Sequence, residues 1–243
     1  MPTTLILGAA SDVALACARQ LASAKTDLIL AGRNMESLTI ISNDLKIRYQ
    51  VDVKAVHFDA LAFESHKTFY ENLVPKPDVT ICVFGLLGDQ VESESSWDSC
   101  QKVIGSNYTG AVSILNVIAN DYEEKGKGVI VGISSVAGER GRQSNYIYGS
   151  AKAGFTTYLS GLRNRLFKSG VHVVTVKPGF IDTRMTAGLK LPKPLKAKPD
   201  QVAKAILKAV KKKNNVIYTL PVWQLIMSII RNIPEGIFKK LKL

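Results

Sequence analysis

Short, continuously apolar runs alternate with longer amphipathic stretches along nearly the whole chain, and few architectures accept that order. Thr3–Leu7, Asp27–Ala31, Val53–Phe58, Val79–Phe84, Val129–Ser134, Val171–Lys177 and Val216–Thr219 read as strands. Helical patterns lie between them at about Ser11–Ser23, behind Gly32-Arg33-Asn34, and over Trp97–Asn120, Tyr148–Lys168 and Asp200–Lys211. Pro199 opens the last of these at a first helical position. Strands that are apolar throughout are buried on both faces, which requires helices above and below a parallel sheet. The pattern therefore predicts a single α/β domain with a doubly wound parallel sheet. The expected boundaries are 1–221 for that domain and 222–243 for an apolar-cationic segment appended to it. Lys190–Pro199, rich in Lys and Pro, reads as a surface loop or lid.

The net charge of +12 invites a nucleic-acid reading until its location is counted. Residues 1–188 hold 19 basic and 18 acidic residues, whereas 189–243 hold 13 and 2. Most of the chain is thus electrically neutral, and no nucleic-acid partner is expected. Cys17, Cys82 and Cys100 show neither CxxC nor Cys/His spacing, so a cytoplasmic protein with no disulfide framework and no metal site is expected. The apolar start contains a Gly-Ala-Ala-Ser turn and no basic lead, and reads as a strand, not a signal peptide. Leu220–Ile230 falls short of the roughly 20 residues a membrane-crossing helix needs.

A strand, a tight glycine turn and a helix N-terminus form a pyrophosphate site, because backbone N–H groups and the positive helix end face the anion. Gly8-Ala9-Ala10-Ser11-Asp12-Val13-Ala14 has that layout, which makes the fold Rossmann-type, with Gly8, Ser11, Asp12 and Val13 as cofactor candidates. Only the first glycine of G-x-x-x-G-x-G is present; Asp12 and Ala14 stand at the others. Asp12 must turn its carboxylate away from a bound pyrophosphate. Arg33, just past the second strand, can clamp a 2′-phosphate where an acidic residue would repel it, and this favours NADP(H) over NAD(H). Asp59 can accept from an adenine amino group or cap its own turn.

Tyr148 and Lys152 stand four residues apart, on one helix face. An ammonium near a phenol lowers its pKa toward what an acid/base needs, which is the expectation for Tyr148. Chance alone supplies about one such pair here, so the surroundings carry the argument. Ser135 ends a strand thirteen residues before Tyr148, Asn107 lies in a helix upstream, and Pro178-Gly179-Phe180-Ile181-Asp182-Thr183 follows the next strand. Taken together, residues 3–219 resemble the short-chain dehydrogenase/reductase family.

The resemblance implies an NAD(P)(H)-dependent oxidoreductase that reduces a carbonyl or oxidises an alcohol by hydride transfer. In it, Tyr148 would exchange a proton with the substrate oxygen and Ser135 would hydrogen-bond that oxygen. Lys152 would bind the nicotinamide ribose, and Asn107 would hold a water leading from Lys152 to solvent. Gly8, Arg33 and Asp59 fall on the cofactor side; Pro178, Gly179 and Thr183 fall near the carboxamide. Val83-Phe84-Gly85-Leu86-Leu87-Gly88-Asp89 replaces the family's Asn-Asn-Ala-Gly, so Gly85 would floor the adenosine side differently. The eroded glycine turn leaves one alternative, a non-catalytic dinucleotide sensor or scaffold.

The Phe84–Asp89 run, the Gly138-Glu139-Arg140-Gly141-Arg142 loop and the Ile229–Leu241 ending resemble a narrower branch. It contains the decaprenylphosphoryl-arabinose-forming 2-keto reductases, which reduce a keto-pentose linked through phosphate to a polyprenyl chain. A keto-sugar or lipid-linked carbonyl substrate follows from that likeness. Arg140 and Arg142, between Ser135 and Tyr148, are expected near the substrate mouth, to meet a phosphate or to lie solvated. The ending interleaves Val222, Trp223, Leu225, Ile226, Met227, Ile229 and Ile230 with Arg231, Lys239, Lys240 and Lys242. That pattern suits peripheral membrane contact or packing on the domain or a second copy, and a homo-oligomer is expected.

Overall fold

Leu5, Ile6 and Leu7 project alternately to opposite faces of the first strand, and all three are fully buried. A strand apolar on both faces needs cover on both, and the rest of the chain supplies it. The computed structural model describes residues 2–188 and 192–242. In order, these form β1 (Thr3–Leu7), α1 (Asp12–Ser23), β2 (Asp27–Gly32), α2 (Met35–Tyr49), β3 (Val53–His57) and α3 (His66–Glu71). Next come β4 (Val79–Cys82), α4 (Gln90–Ser95), α5 (Trp97–Ile104), α6 (Gly110–Lys125), β5 (Gly128–Ile133) and α7 (Tyr146–Leu166). The chain continues with β6 (Val171–Pro178), β7 (Phe180–Ile181), β8 (Lys196–Ala197), α8 (Pro199–Lys212), β9 (Val216–Thr219), α9 (Val222–Asn232) and α10 (Glu235–Phe238).

Seven strands form one parallel sheet in the order β3-β2-β1-β4-β5-β6-β9. One core packs Ile6, Leu30, Ile81 and Val174 under α1, α2 and α8; the other packs Leu5, Leu7, Ile29 and Val173 under α6 and α7. This is the doubly wound Rossmann-type arrangement that the apolar runs predict. After β3 the chain returns to lay β4 beside β1, and a crevice opens there above the strand C-termini.

Local chemistry sets the helix ends. Ser11 caps α1 by accepting from the Ala14 N–H at 3.3 Å, and Asn34 caps α2 through the Ser37 N–H at 2.9 Å. The expected helix Trp97–Asn120 is interrupted: Gly105–Thr109 forms a wide π-turn between α5 and α6. Fourth-strand pairing stops at Cys82 rather than Phe84, although the Val83 N–H still donates to the Leu7 carbonyl. The helix bearing Tyr148 starts two residues early, so Tyr148 sits in its first turn.

Lys190 and Leu191 of the expected loop lie outside the described residues. The remainder forms a short turn at Lys193–Leu195 and then β8, which pairs with β7 in a separate two-stranded sheet. Helix α9 buries Trp223 and Met227 against Val136, with Phe180, Leu195 and Ile226 around them. Its Val222, Leu225 and Ile229 are exposed. Among the described residues, no helix is long and apolar enough to cross a membrane.

Candidate active site

A cavity of about 420 Å³ occupies the crevice. Its walls come from the start of α1, the loop after β4, the end of β5, the first turns of α7 and the segment after β6. Ser11, Asp12, Val13, Gly85, Ser135, Tyr148, Lys152, Pro178, Gly179 and Thr183 all line it. Ten of the candidates spread over 243 residues therefore share one space. Asn107 stands behind that wall, while Gly8, Arg33 and Asp59 lie beyond it toward β2 and β3.

Gly8 has φ +83°, and a Cβ there would come within 2.7 Å of the Phe84 backbone nitrogen. Conformation and close approach both demand glycine. Among the described residues, the N–H groups of Asp12 and Val13 have no hydrogen-bond partner, leaving two helix-end donors facing the cavity. Asp12 itself turns aside. Its carboxylate accepts from the Arg184 backbone N–H at 2.8 Å and from Arg184 Nε at 3.1 Å, which ties α1 to the chain beyond β7. Arg33 is exposed at the C-terminal end of β2. Asp59 takes the second of the two roles foreseen for it, accepting from the Leu61 N–H at 3.0 Å across its own turn.

The π-turn rotates Asn107 inward, where it is 1% exposed. Its Nδ2 donates to the Leu86 carbonyl at 2.6 Å and the Val103 carbonyl at 2.8 Å, and its Oδ1 accepts from the Leu86 N–H at 3.3 Å. Asn107 thereby clasps the loop after β4 that carries Gly85. Lys152 is 4% exposed and donates from Nζ to the Ile133 carbonyl at 2.9 Å. Burial brings its ammonium down to about 8. Lys152 Nζ is 5.8 Å from the Tyr148 ring centroid.

The expected lowering of the Tyr148 pKa is not what the environment produces. Burial pushes the phenol up to about 12, and the Ser135 hydroxyl opposes that shift. Desolvation of the phenolate outweighs its stabilisation. Ser135 Oγ also accepts from the Ala137 N–H at 3.1 Å, starting the short turn Val136–Glu139. Thr183 opens another such turn, Arg184–Thr186.

Arg140 is not at a substrate mouth. Its Nη1 donates to the carbonyls of Ile230, Arg231 and Ile233 at 2.8, 3.1 and 2.6 Å, satisfying the C-terminal end of α9. The same guanidinium pairs with Glu235 at 2.8 Å and stacks 3.7 Å from the Phe238 ring centroid. Arg142, by contrast, is half-buried and lines the cavity. Three contributors escaped sequence reasoning. Arg184 pairs with Asp12, Glu139 joins Lys177, and Trp223 packs so closely behind Gly179 that a Cβ there would lie 1.9 Å from the indole. Only Glu139 and Trp223 left a trace, as members of unusual segments whose contacts were unknowable.

A doubly wound sheet with this cavity at its switch point defines a Rossmann-type α/β protein. Residues 2–193 match the family model for short chain dehydrogenases. An uncharacterised oxidoreductase of Mycobacterium tuberculosis is 34% identical over 217 residues, covering 88% of this chain and 86% of that one. One from Streptomyces coelicolor is 34% identical over 248 residues, covering 98% and 94%. The chain belongs to the short-chain dehydrogenase family of oxidoreductases. Its fold is shared by a short-chain dehydrogenase from Sphingobium yanoikuyae in complex with NADPH (TM-score 0.81, 22% identity, 97% of this chain and 98% of that one). It is shared also by the bulky-bulky ketone specific alcohol dehydrogenase from Comamonas testosteroni (TM-score 0.81, 21% identity, 97% and 96%).

Proposed function

We propose that the protein is an NADP(H)-preferring carbonyl reductase in which Tyr148 is the proton donor. The observation that carries this is the meeting of Ser135, Tyr148 and Lys152 in one cavity with the helix-end N–H groups of Asp12 and Val13, unpartnered among the described residues. Those two donors fit a pyrophosphate, Gly8 lets the chain turn beneath it, and Arg33 suits a 2′-phosphate. The reduced dinucleotide would supply a hydride to the carbonyl carbon.

The chain's own residues manage the proton. Ser135 and Tyr148 hydroxyls both donate to the substrate oxygen, and the Tyr148 proton transfers as negative charge develops there. A phenol held near 12 stays protonated at neutral pH and is ready to give that proton. The Lys152 ammonium offsets the phenolate left behind. Asn107 holds the Leu86 loop, and with it the wall facing Lys152.

The proposed substrate is a keto-sugar, free or linked to a lipid, as in the branch resembled by the Phe84–Asp89 run and the Ile229–Leu241 ending. Largely apolar cavity walls (Val83, Leu87, Val136, Phe180, Ile181) are compatible with an attached hydrocarbon. The test is single-turnover NADPH oxidation with a panel of ketoses and ketones. Tyr148→Phe should lose at least about a hundredfold in hydride-transfer rate; equal rates in the two proteins would refute the assignment.

A further inference from the structure

Among the cations that line the cavity, Arg142 is the one held by an acceptor as weak as a thioether. Among the described residues, its buried Nε has no hydrogen-bond partner, and its Nη2 reaches only the Met227 sulfur at 3.4 Å. A thioether is a weak acceptor, so the guanidinium is held in place without being satisfied. The carboxylate beside it, Glu139, serves other groups: Oε1 takes Lys177 at 2.7 Å and the Tyr218 hydroxyl, and Arg231 stands 3.7 Å from Oε2, a buried oxygen with no hydrogen-bond partner among the described residues. Two cations thus already share this carboxylate. Arg140 is neutralised separately by Glu235, and Arg184 by Asp12. A second buried polar atom lining the cavity, Asn145 Oδ1, also lacks a partner among the described residues. Asn145 stands at the N-cap of α7, yet its side chain caps nothing. Such orphans are costly unless a ligand completes them.

We propose that Arg142 is the specificity-determining residue of this cavity: it binds an anionic group, phosphate or carboxylate, carried by the carbonyl substrate, while Asn145 accepts a hydrogen bond from a hydroxyl of the same molecule. The assignment rests on the reductase reading for the word substrate, but the anion site stands on its own geometry. A guanidinium offers a planar pair of donors that matches either anion. Burial also pulls the Arg142 pKa down, the direction expected of a cation held without a full counter-charge.

Calorimetric titration of the NADP⁺-saturated protein with matched probes tests this. Dihydroxyacetone phosphate is compared with dihydroxyacetone, and phenylglyoxylate with its methyl ester; the pairs separate phosphate from carboxylate. Wild type should bind at least one charged member about 10- to 100-fold tighter than its neutral partner. Arg142→Met should erase that ratio and leave neutral binding and thermal stability intact, while Arg142→Lys keeps part of it. Asn145→Ala should weaken the dihydroxyacetone pair and spare the phenylglyoxylate pair. An unchanged ratio in Arg142→Met, no charge preference in wild type, or no binding of either charged probe at millimolar concentration overturns the proposal. So does a general loss of stability and of neutral binding, which marks a structural arginine. Failure of the reductase reading is distinguishable, since it abolishes NADPH oxidation by wild type yet leaves the binding ratio in place.

Discussion

Glu139 Oε1 lies 2.7 Å from Lys177 Nζ, with the two side chains 4% and 12% exposed. Glu139 closes the turn that Ser135 begins, and Lys177 is the residue before Pro178. The pair therefore ties two walls of the cavity together. Glu139→Gln leaves Lys177 buried without a counter-charge, and should cost about 3 kcal/mol in urea unfolding. Activity should fall with it, because the turn that follows Ser135 loses its tie to the wall before Pro178.

The buried Lys152 makes a prediction about pH. Its ammonium, at about 8, loses its charge well below the about 10.4 of a free lysine. Carbonyl reduction should decline as pH rises through 8, since the phenolate forming on Tyr148 then lacks its cation. Tyr148, near 12, stays protonated across that range. The limb should be absent from the residual activity of Lys152→Met.

The same shift has a sign in stability. A lysine whose folded pKa is depressed destabilises the fold below that pKa, and the penalty fades as pH climbs toward the unfolded value. Lys152→Met should raise the melting temperature at pH 7, and the gain should shrink between pH 8 and 10. A melting temperature lower than wild type at pH 7 would contradict the account.

Gly179 and Trp223 should be coupled. Gly179→Ala places a Cβ within 1.9 Å of the indole, and Trp223→Ala empties a site that is 3% exposed. Each alone should destabilise, the latter by roughly 3–5 kcal/mol. In the double variant the alanine methyl has room, so the combined loss should be smaller than the sum. Strict additivity would show that the two do not meet.

Arg33 tests cofactor choice. Arg33→Asp should weaken NADPH about tenfold or more and leave NADH binding equal or better. An unchanged ratio of dissociation constants would remove the 2′-phosphate role.

What was readable in the sequence was whatever depends on neighbours along the chain. Thr3–Leu7 and Val216–Thr219 are strands at their expected bounds because apolar runs between turn residues leave little freedom. The meeting of Ser135 with Tyr148 and Lys152 was readable through the family resemblance, which their order along the chain carries. Contacts between distant segments were not: nothing in Arg140 tells that it ends α9, nor in Asp12 that Arg184 would hold it. The phenol of Tyr148 shows the same limit, because burial is a property of the assembled wall rather than of a four-residue spacing.

The wide turn at Gly105–Thr109 has an evolutionary side. A π-turn holds one residue more than the α-helix needs, so α5 and α6 keep their own packing registers on either side of it. Deleting one residue there would heal the helix into a regular one and swing Asn107 about 100° away from Leu86. The surplus residue therefore cannot be trimmed without losing the Asn107 clasp, and Gly105, where an added Cβ would lie 2.8 Å from Leu61, leaves the turn little room for other side chains.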